Sequence, residues 1–378
     1  MPRDRRAPTI AAASAAVLPL VLALCACSRP PLEPIDVGVL VPLTGSLSVW
    51  GVNTERGIRL AAEHVNAAGG VDGRRIRLLV EDSECKPETA VTVLRGWTAR
   101  GDVPVVLGAI CSSDVLAMAP IAERGEVVIL STGASNPAIS DAGEFVFRNW
   151  PSDRIQGELT ADYAYGRGLR NVAILFVDNA YGRGLEAVFG EHFGALGGAL
   201  AVTPSESYTE GDGDFRAQLS RIAGSGADAL YLPAYTREYP LILAQARELG
   251  LEIPIVASET FDDPATIERS GAAAEGVVFP SPASFDRSAP QGRAFVAAFE
   301  RAYGEPPGIT SDTAFDAMNI VAGAISAGAR TGPEIRDFLN ALEDYPGIAG
   351  VVEFDARGDA PKRIVFYSVS GGVATPLR

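Results

Sequence analysis

The chain has 378 residues, 47% of them hydrophobic and 21% charged, a composition typical of a globular protein long enough for two domains. Its formal net charge is −15, from 47 acidic and 32 basic residues. So acidic a surface argues against nucleic acids and anionic membrane surfaces as partners, because phosphate groups need basic side chains to neutralise them.

The first 27 residues are predicted to be a targeting segment. Basic residues in MPRDRR precede the apolar stretch IAAASAAVLPLVLAL, which is too short and too rich in alanine for a membrane span. The sequence LCAC at 24–27 resembles the lipobox of bacterial lipoproteins, which implies acylation of Cys27 and a lipid anchor. An ordinary signal peptide cut near Ala26 is the alternative. Residues 28–34, SRPPLEP, are predicted to be a proline-rich tether.

From Ile35 onward the hydrophobic pattern alternates between strands and helices. Helices are indicated by apolar residues three or four positions apart, and strands by short apolar runs. The run VPVVLGAI is almost continuously apolar, which is typical of a strand buried on both faces of a parallel sheet. The predicted strands are 35–43, 75–82, 103–110 and 127–131, and the predicted helices lie within 51–73, 87–100 and 113–124.

The same alternation resumes after Pro151. The predicted helices are 154–168, 181–197, 214–226 and 239–250, and the predicted strands are 171–178, 227–235 and 253–259. Two successive alternating runs predict an α/β fold of two doubly wound, parallel-sheet lobes. The junctions at 148–153 and 279–285 contain the proline, serine and asparagine typical of hinges.

The last part of the chain is predicted to contain both helices and strands. Helical patterns occur at 291–304, 311–329 and 332–343. The segment 351–369 is predicted to form a β-hairpin around Asp355–Asp359.

The sequence offers no catalytic or metal-binding motif. His64 and His192 fall within predicted helices and lack the spacing of metal ligands. The segment GDGDF at 211–215 has the composition of a calcium loop without its ligand spacing, so we interpret it as a turn with Asp214 as a helix N-cap. A hydrolase built on Ser112 lacks a base. We therefore expect no enzyme activity, no metal and no cofactor.

Polar side chains follow two predicted strands of the first half. The segment CSS at 111–113 follows one strand, and STGAS at 131–135 follows the next. Ligands bind beyond the carboxyl ends of parallel strands, and a helix N-terminus offers free N–H groups to an anion. The two segments predict a carboxylate site, with Ser112 or Ser113 as a simple helix cap as the alternative.

Two strand ends of the second half carry Tyr235 and Glu259. A glutamate at a strand end is suited to accept hydrogen bonds from an ammonium group. A carboxylate site in one lobe that faces an acid in the other is the arrangement a zwitterion requires.

Six segments together resemble the leucine/isoleucine/valine-binding type of ABC-transporter substrate-binding proteins, which have the type I periplasmic binding fold. The resemblance covers about residues 35–369. The segments are GVLVPLTGSLSVWG, HVNAAGGVDGRRIRLLVEDSECKPETAV, LGAICSSDVLAMAPI, NAYGRG, YLPAYTREYPLILAQARELG and FDARGD.

This resemblance implies a set of ligand-binding residues, namely Trp50, Ser112, Ser113, Gly133, Ser135, Tyr181, Tyr235 and Glu259. The hydroxyls of Ser112 and Ser135 are implied to hold an α-carboxylate. The backbone carbonyl of Gly133 and the side chain of Glu259 are implied to hold the α-ammonium, and the three aromatic residues are implied to form the walls.

The chain departs from the family pattern near the side-chain pocket. Thr310 and Asp312 fall close to where bulkier residues can line that pocket, which weakens the case for a branched aliphatic ligand. An acid there is suited to a polar or basic side chain, and a solvated or capping role for Asp312 is the alternative.

Cysteine counting predicts one disulfide. Once residues 1–26 are removed and Cys27 is lipidated, only Cys85 and Cys111 remain as thiols, and an exported protein should pair them. The resemblance implies the same bridge.

The expected protein is a monomeric, extracytoplasmic solute receptor, anchored by its lipid in the periplasm or at the cell surface. Its N-terminal lobe is expected to comprise 35–150 and 282–348, and its C-terminal lobe 151–281 and 349–378. The family implies an amino-acid ligand and, as partners, a membrane permease with its ATPase. A ligand sensor of the same fold, and a serine hydrolase or amidase that uses Ser112, are the alternatives.

Overall fold

The computed structural model describes residues 32–282 and 285–377, together with Met1. The predicted leader, the lipidated Cys27 and most of the predicted tether lie outside these residues. Within the described part of the chain, no helix combines the length and the apolar character needed to traverse a membrane.

Strands and helices alternate along the described chain. The strands are β1 (Ile35–Val41), β2 (Ile76–Asp82), β3 (Val105–Gly108), β4 (Val128–Ser131), β5 (Val146–Arg148), β6 (Asn171–Val177), β7 (Ala199–Leu200), β8 (Glu206–Tyr208), β9 (Ala229–Leu232), β10 (Ile255–Ala257), β11 (Val278–Pro282), β12 (Tyr345–Gly347), β13 (Gly350–Val352), β14 (Ile364–Ser370) and β15 (Val373–Pro376). The α-helices are α1 (Ser48–Ala67), α2 (Pro87–Arg100), α3 (Ser112–Gly125), α4 (Asp153–Gly166), α5 (Ala180–Ala195), α6 (Arg216–Ala223), α7 (Tyr239–Glu248), α8 (Pro264–Ser270), α9 (Pro290–Tyr303), α10 (Ser311–Ser326) and α11 (Gly332–Asn340). Short 3₁₀ helices occur at Pro137–Asp141, Glu259–Phe261 and Gly271–Ala274.

Two separate sheets confirm the predicted α/β fold. The first has the strand order β2-β1-β3-β4-β5, and all its strand pairs are parallel. The second has the order β15-β14-β11-β10-β9-β6-β7, with β8 also paired to β6. Its strands from β6 to β11 are parallel, whereas β14 and β15 add antiparallel pairs at one edge. Helices cover both sheets, as parallel strands buried on both faces require.

Helices from the end of the chain complete the first lobe. Ile58 and Ala61 of α1 share one buried apolar cluster with Ala317 and Val321 of α10. Close packing also sets the start of α1, because a Cβ at Gly51 would lie 1.8 Å from the carbonyl oxygen of Pro42. Glycine at this position therefore allows the first turn of α1 to pack directly against the backbone that follows β1.

The chain crosses between the lobes three times. The first crossing joins β5 to α4, the second follows β11, and the third precedes β14. Val352, Phe354 and Ala360 lie in the apolar cluster of the first lobe. We therefore propose that the third crossing lies between Ala360 and Ile364, later than the boundary expected at 348/349.

The predicted β-hairpin around Asp355–Asp359 is wrong. Strand β13 pairs with β12, and β14 pairs with β11 and β15, so the strands that flank the turn do not pair with each other. The backbone of Asp359 instead forms an isolated β-bridge with that of Arg148 at the edge of the first sheet. The turn lies where the predicted hairpin has its bend, but β13 and β14 pair with other strands on either side of it.

Arg148 ties the first and third crossings together. Its guanidinium is fully buried and forms an ion pair with Asp359, with Nε 2.6 Å from Oδ1. It also donates to the backbone carbonyls of Ser135 and Asn136, at 3.0 and 2.9 Å. A buried charge is stable only with such partners, so this network holds the crossing segments in place beside the strand ends.

Candidate functional site

A small cavity lies between the carboxyl ends of the strands of the two lobes. Its volume is about 10 Å³, and it is lined by Leu47, Trp50, Ile110, Ser112, Gly133, Tyr181, Tyr235, Glu259 and Thr260. Six of the eight predicted ligand-binding residues are among them, whereas Ser113 and Ser135 are not. A cavity of this size accommodates about one water molecule, so any larger ligand can enter only if the lobes separate.

The N-terminus of α3 forms the first-lobe side of the cavity. Ser112 is the first residue of α3 and is 2% exposed. Its Oγ accepts hydrogen bonds from the backbone N–H groups of Ser135 and Asn136, at 3.2 and 3.1 Å. These two bonds leave the hydroxyl hydrogen of Ser112 unused, so the group can donate to an anion at the positive end of the helix.

Ser113 and Ser135 lie elsewhere. Ser113 is half-buried and does not line the cavity. The hydroxyl of Ser135 donates to Oδ2 of Asp153 at 2.8 Å. In this conformation Ser135 is committed to a carboxylate of the protein, so direct contact with a ligand stays a prediction for both serines.

A hydrogen-bond chain nevertheless connects Ser135 with Glu259. The side-chain amide of Gln156 lies 3.3 Å from Oδ1 of Asp153 and donates to Oε2 of Glu259 at 2.6 Å. The hydroxyl of Tyr181 donates to the same glutamate oxygen at 2.9 Å. Two buried carboxyl groups are thus linked through one amide beside the cavity.

The electrostatics of these two carboxyl groups favour a cation. Burial raises the pKa of Glu259 to about 7, although hydrogen bonds from Gln156 and Tyr181 oppose the shift. Burial, followed by the charge of Glu259, raises the pKa of Asp153 well above its usual range. In a site shielded from water, ionising both carboxyl groups at once costs a large free energy. A positively charged group in the cavity would offset that cost.

Aromatic rings form the walls of the cavity. Tyr181 and Tyr235 stack with their ring centroids 5.5 Å apart, and Asn179 donates to the hydroxyl of Tyr235 at 3.0 Å. On the opposite side Trp50 packs edge to face against Trp150, with 5.4 Å between the centroids. The indole N–H of Trp50 is buried and has no acceptor among the described residues. It is a donor available to a ligand.

Gly133 allows the strand end after β4 to approach Ile110. A Cβ at Gly133 would lie 2.9 Å from the Cβ of Ile110, closer than side chains tolerate. The absence of a side chain therefore keeps the backbone of Gly133 at the wall of the cavity.

The Cys85–Cys111 disulfide is present. It joins the loop after β2 to the residue before α3, across a Cα–Cα distance of 5.5 Å. Because Cys111 directly precedes Ser112, the bridge holds the N-terminus of α3 beside the cavity.

Direct hydrogen bonds also join the lobes at the cavity rim. The hydroxyl of Ser46 donates to Oε1 of the buried Glu238 at 2.7 Å. The hydroxyl of Thr236 donates to the carbonyl of Ser46, also at 2.7 Å. These bonds stabilise the arrangement in which the lobes are in contact.

Sequence reasoning missed the polar face of α4. Asp153, Gln156 and Thr160 are all buried. They stand at spacings of three and four residues, so they share one face of the helix. A polar stripe at that spacing, directly after a predicted hinge, is the signal that could have identified them.

The chain matches the family model described as periplasmic binding protein over residues 34–372. It is 28% identical to the leucine-, isoleucine-, valine-, threonine- and alanine-binding protein of Pseudomonas aeruginosa, over 86% of this chain and 87% of that protein.

Solved structures agree with this match. A leucine-binding protein of Thermotoga maritima superposes with a TM-score of 0.83 at 29% identity, over 91% of this chain and 98% of that one. The substrate-binding protein of a branched-chain amino acid transporter of Streptococcus pneumoniae, in complex with isoleucine, superposes with a TM-score of 0.81 at 27% identity, over 90% and 97% of the two chains. The chain therefore belongs to the periplasmic binding protein family, within its leucine/isoleucine/valine-binding type.

Proposed function

We propose that the protein is the extracytoplasmic substrate-binding protein of an ABC transporter and that it binds a free amino acid between its lobes. The observation that carries this proposal is the pairing of opposite groups at one cavity. The N-terminus of α3 with Ser112 lies on the first-lobe side, and the buried carboxyl group of Glu259 lies on the second-lobe side.

The α-carboxylate of the ligand binds at the N-terminus of α3. The hydroxyl hydrogen of Ser112, the free N–H groups of the helix and the unpaired indole N–H of Trp50 are the available donors. The α-ammonium binds the carboxylate of Glu259 and the backbone carbonyl of Gly133. Charge-assisted hydrogen bonds at both ends fix the orientation of the ligand.

Binding is coupled to closure of the lobes. Glu259 and Tyr235 belong to the second lobe, so a ligand held at α3 reaches them only when the lobes approach each other. The ligand thus has a higher affinity for the closed form, and that difference drives closure by hinge motion. The bonds between Ser46, Thr236 and Glu238 add to the stability of the closed form.

We infer the partners from the family and the lipid anchor from the lipobox-like sequence at 24–27. A membrane permease with its ATPase recognises the closed, loaded form, and a lipid on Cys27 keeps the protein at the membrane. The serine hydrolase alternative is not favoured, because Oγ of Ser112 already accepts from two backbone amides. His192, which a hydrolase could use as its base, lies against Asp162.

A calorimetric series of matched ligands tests the proposal. An L-amino acid should bind, whereas its methyl ester, which lacks the carboxylate, and its N-acetyl derivative, which lacks the ammonium, should each bind at least about tenfold more weakly. Binding of both derivatives with the affinity of the parent amino acid would contradict the clamp. A thermal-shift screen against free amino acids selects the parent ligand, because a compound that binds the native state raises the melting temperature.

A further inference from the structure

Asn136, the residue after Ser135 in the first lobe, contacts the second lobe. It is 8% exposed and directly precedes the 3₁₀ helix Pro137–Asp141. Its side-chain amide donates a hydrogen bond to the backbone carbonyl of Ala180, the first residue of α5, at 2.5 Å. Neither Asn136 nor Ala180 lines the small cavity, so this contact joins the lobes outside the ligand site.

Hydrogen bonds within the first lobe hold the other polar groups of Asn136. Its backbone N–H donates to Oγ of Ser112 at 3.1 Å, and its carbonyl accepts from the guanidinium of Arg148 at 2.9 Å. Its side-chain oxygen accepts from the backbone N–H of Ala138 at 2.8 Å and so caps the 3₁₀ helix. Because that oxygen is bonded to an N–H group, the side-chain nitrogen is the atom that faces the carbonyl of Ala180. The first lobe thus presents one oriented donor to α5.

Gly184 leaves space for this donor on α5. In an α-helix the carbonyl of one residue lies beside the residue four positions later, so the carbonyl of Ala180 lies beside Gly184. A Cβ at Gly184 would lie 2.6 Å from the side-chain nitrogen of Asn136 and 3.2 Å from Cδ of Pro137. Glycine inside a helix lowers stability relative to alanine, so the contact between the lobes, and not the helix, requires glycine at this position.

The contact is connected to both sides of the small cavity. Ser112, which accepts from the backbone of Asn136, lines the cavity on the first-lobe side. Tyr181, which follows Ala180, lines it on the second-lobe side and donates to Glu259 at 2.9 Å. Asn136 is therefore bonded to one half of the site and to the residue next to the other half.

We propose that Asn136 is a positioning residue for ligand binding: its amide holds α5, and with it Tyr181, against the first lobe in the closed form, and Gly184 leaves the space for that contact. The inference rests on the proposed function, since it concerns the closure that the ligand drives. It goes further, because two residues outside the cavity then contribute to the affinity. The contact breaks when the lobes separate, so it stabilises the closed form alone.

Two variants test the contact, each with a matched control. Asn136→Ser retains an oxygen that can cap the 3₁₀ helix, but its side chain is too short to reach Ala180. Its control is Asn340→Ser, at the exposed end of α11 in the same lobe. Gly184→Ala adds the Cβ that overlaps Asn136, whereas its control, Gly194→Ala, adds a Cβ to the same helix with no atom within 4 Å.

An equimolar mixture of the proteinogenic L-amino acids serves as the probe. The melting temperature reports binding, and the radius of gyration from small-angle X-ray scattering reports closure. For the wild type and both controls, the mixture should raise the melting temperature and decrease the radius of gyration.

Both test variants should close less readily. Asn136→Ser should raise the concentration of the mixture at the midpoint of compaction by about three- to tenfold. Gly184→Ala should raise it by at least about tenfold and should keep a larger radius of gyration than the wild type at saturation. Without the mixture, each variant should melt at the temperature of its control, because the contact does not stabilise the separate lobes.

The outcomes separate this inference from the proposed function. Midpoints and radii equal to those of the controls overturn the inference and leave the proposed function in place. A melting temperature that falls without the mixture, with an unchanged midpoint, assigns both residues to folding and also overturns the inference. If the mixture neither stabilises nor compacts the wild type, the proposed function fails, and the inference fails with it.

Discussion

Glu259→Gln should greatly weaken amino-acid binding while the fold stays intact. The side chain is 2% exposed, so an ammonium ion at its carboxylate is shielded from water. Two unit charges about 3 Å apart at an effective dielectric constant of about 20 attract each other by about 5–6 kcal/mol. Lost hydration of both charges offsets part of this attraction, and truncated buried pairs cost about 2–5 kcal/mol. The expected loss of affinity is therefore about thirtyfold to several thousandfold.

Calorimetry at pH 8 is the appropriate assay. Burial raises the pKa of Glu259 to about 7. The carboxyl group is therefore mostly ionised at pH 8. The free energy needed to remove its proton hardly reduces the affinity measured at that pH. Glu252→Gln is the matched control, because it removes an exposed carboxylate of the same lobe.

Thermal unfolding of Glu259→Gln separates binding from folding. A group whose pKa is raised by folding destabilises the native state above that pKa, so replacing it with a neutral amide should not lower the melting temperature at pH 8. An affinity within about twofold of wild type, with a normal melting temperature, would refute the placement of the ammonium at Glu259.

Three other predictions follow from the same site. Ser112→Ala should cost about 1–3 kcal/mol of binding free energy by calorimetry, because it removes one donor to the carboxylate; an affinity equal to that of the wild type would contradict the assignment. Alkylation followed by mass spectrometry should label Cys85 and Cys111 only after reduction, and reduction should lower the unfolding free energy by about 3–4 kcal/mol for a sequence separation of 26; labelling before reduction would disprove the bridge. Because burial raises the pKa of Glu259 to about 7, the affinity should fall by up to about tenfold per pH unit as the pH decreases below 7, and a flat profile between pH 5 and 8 would exclude a proton linked to binding.

The order of strands and helices could be predicted from the sequence because most strands are buried on both faces. Strands β3 and β4 are completely buried and read as short apolar runs. Helix α2 occupies the predicted range 87–100, because Pro87 starts it and Gly101 ends it in a left-handed conformation. Local composition was sufficient to predict the ends of an element wherever a proline and a glycine bound it in this way.

Features that depend on tertiary contacts could not be predicted in this way. The strands on either side of the turn at Asp359 do not pair with each other, because β13 pairs with β12 and β14 pairs with β11 and β15, while the ion pair between Arg148 and Asp359 holds the turn at the first sheet. Likewise, the hydroxyl of Ser135 bonds to Asp153 across the first crossing. The sequence places both residues near strand or helix ends, but their distance depends on how the lobes meet.

Most of the cavity lining was nevertheless accessible to sequence reasoning. Ser112, Tyr235 and Glu259 follow strand ends, where a parallel sheet exposes polar groups to a ligand. The apolar contributors Leu47 and Ile110 were missed, because they cannot be told apart from core residues by pattern alone.

A crystal structure of the protein with the amino acid selected by the thermal-shift screen tests the central claim most directly. We predict one ligand between the lobes, with its carboxylate at Ser112 and the N-terminus of α3 and its ammonium at Glu259. A ligand bound to one lobe alone, or one with its ammonium away from Glu259, would contradict the account.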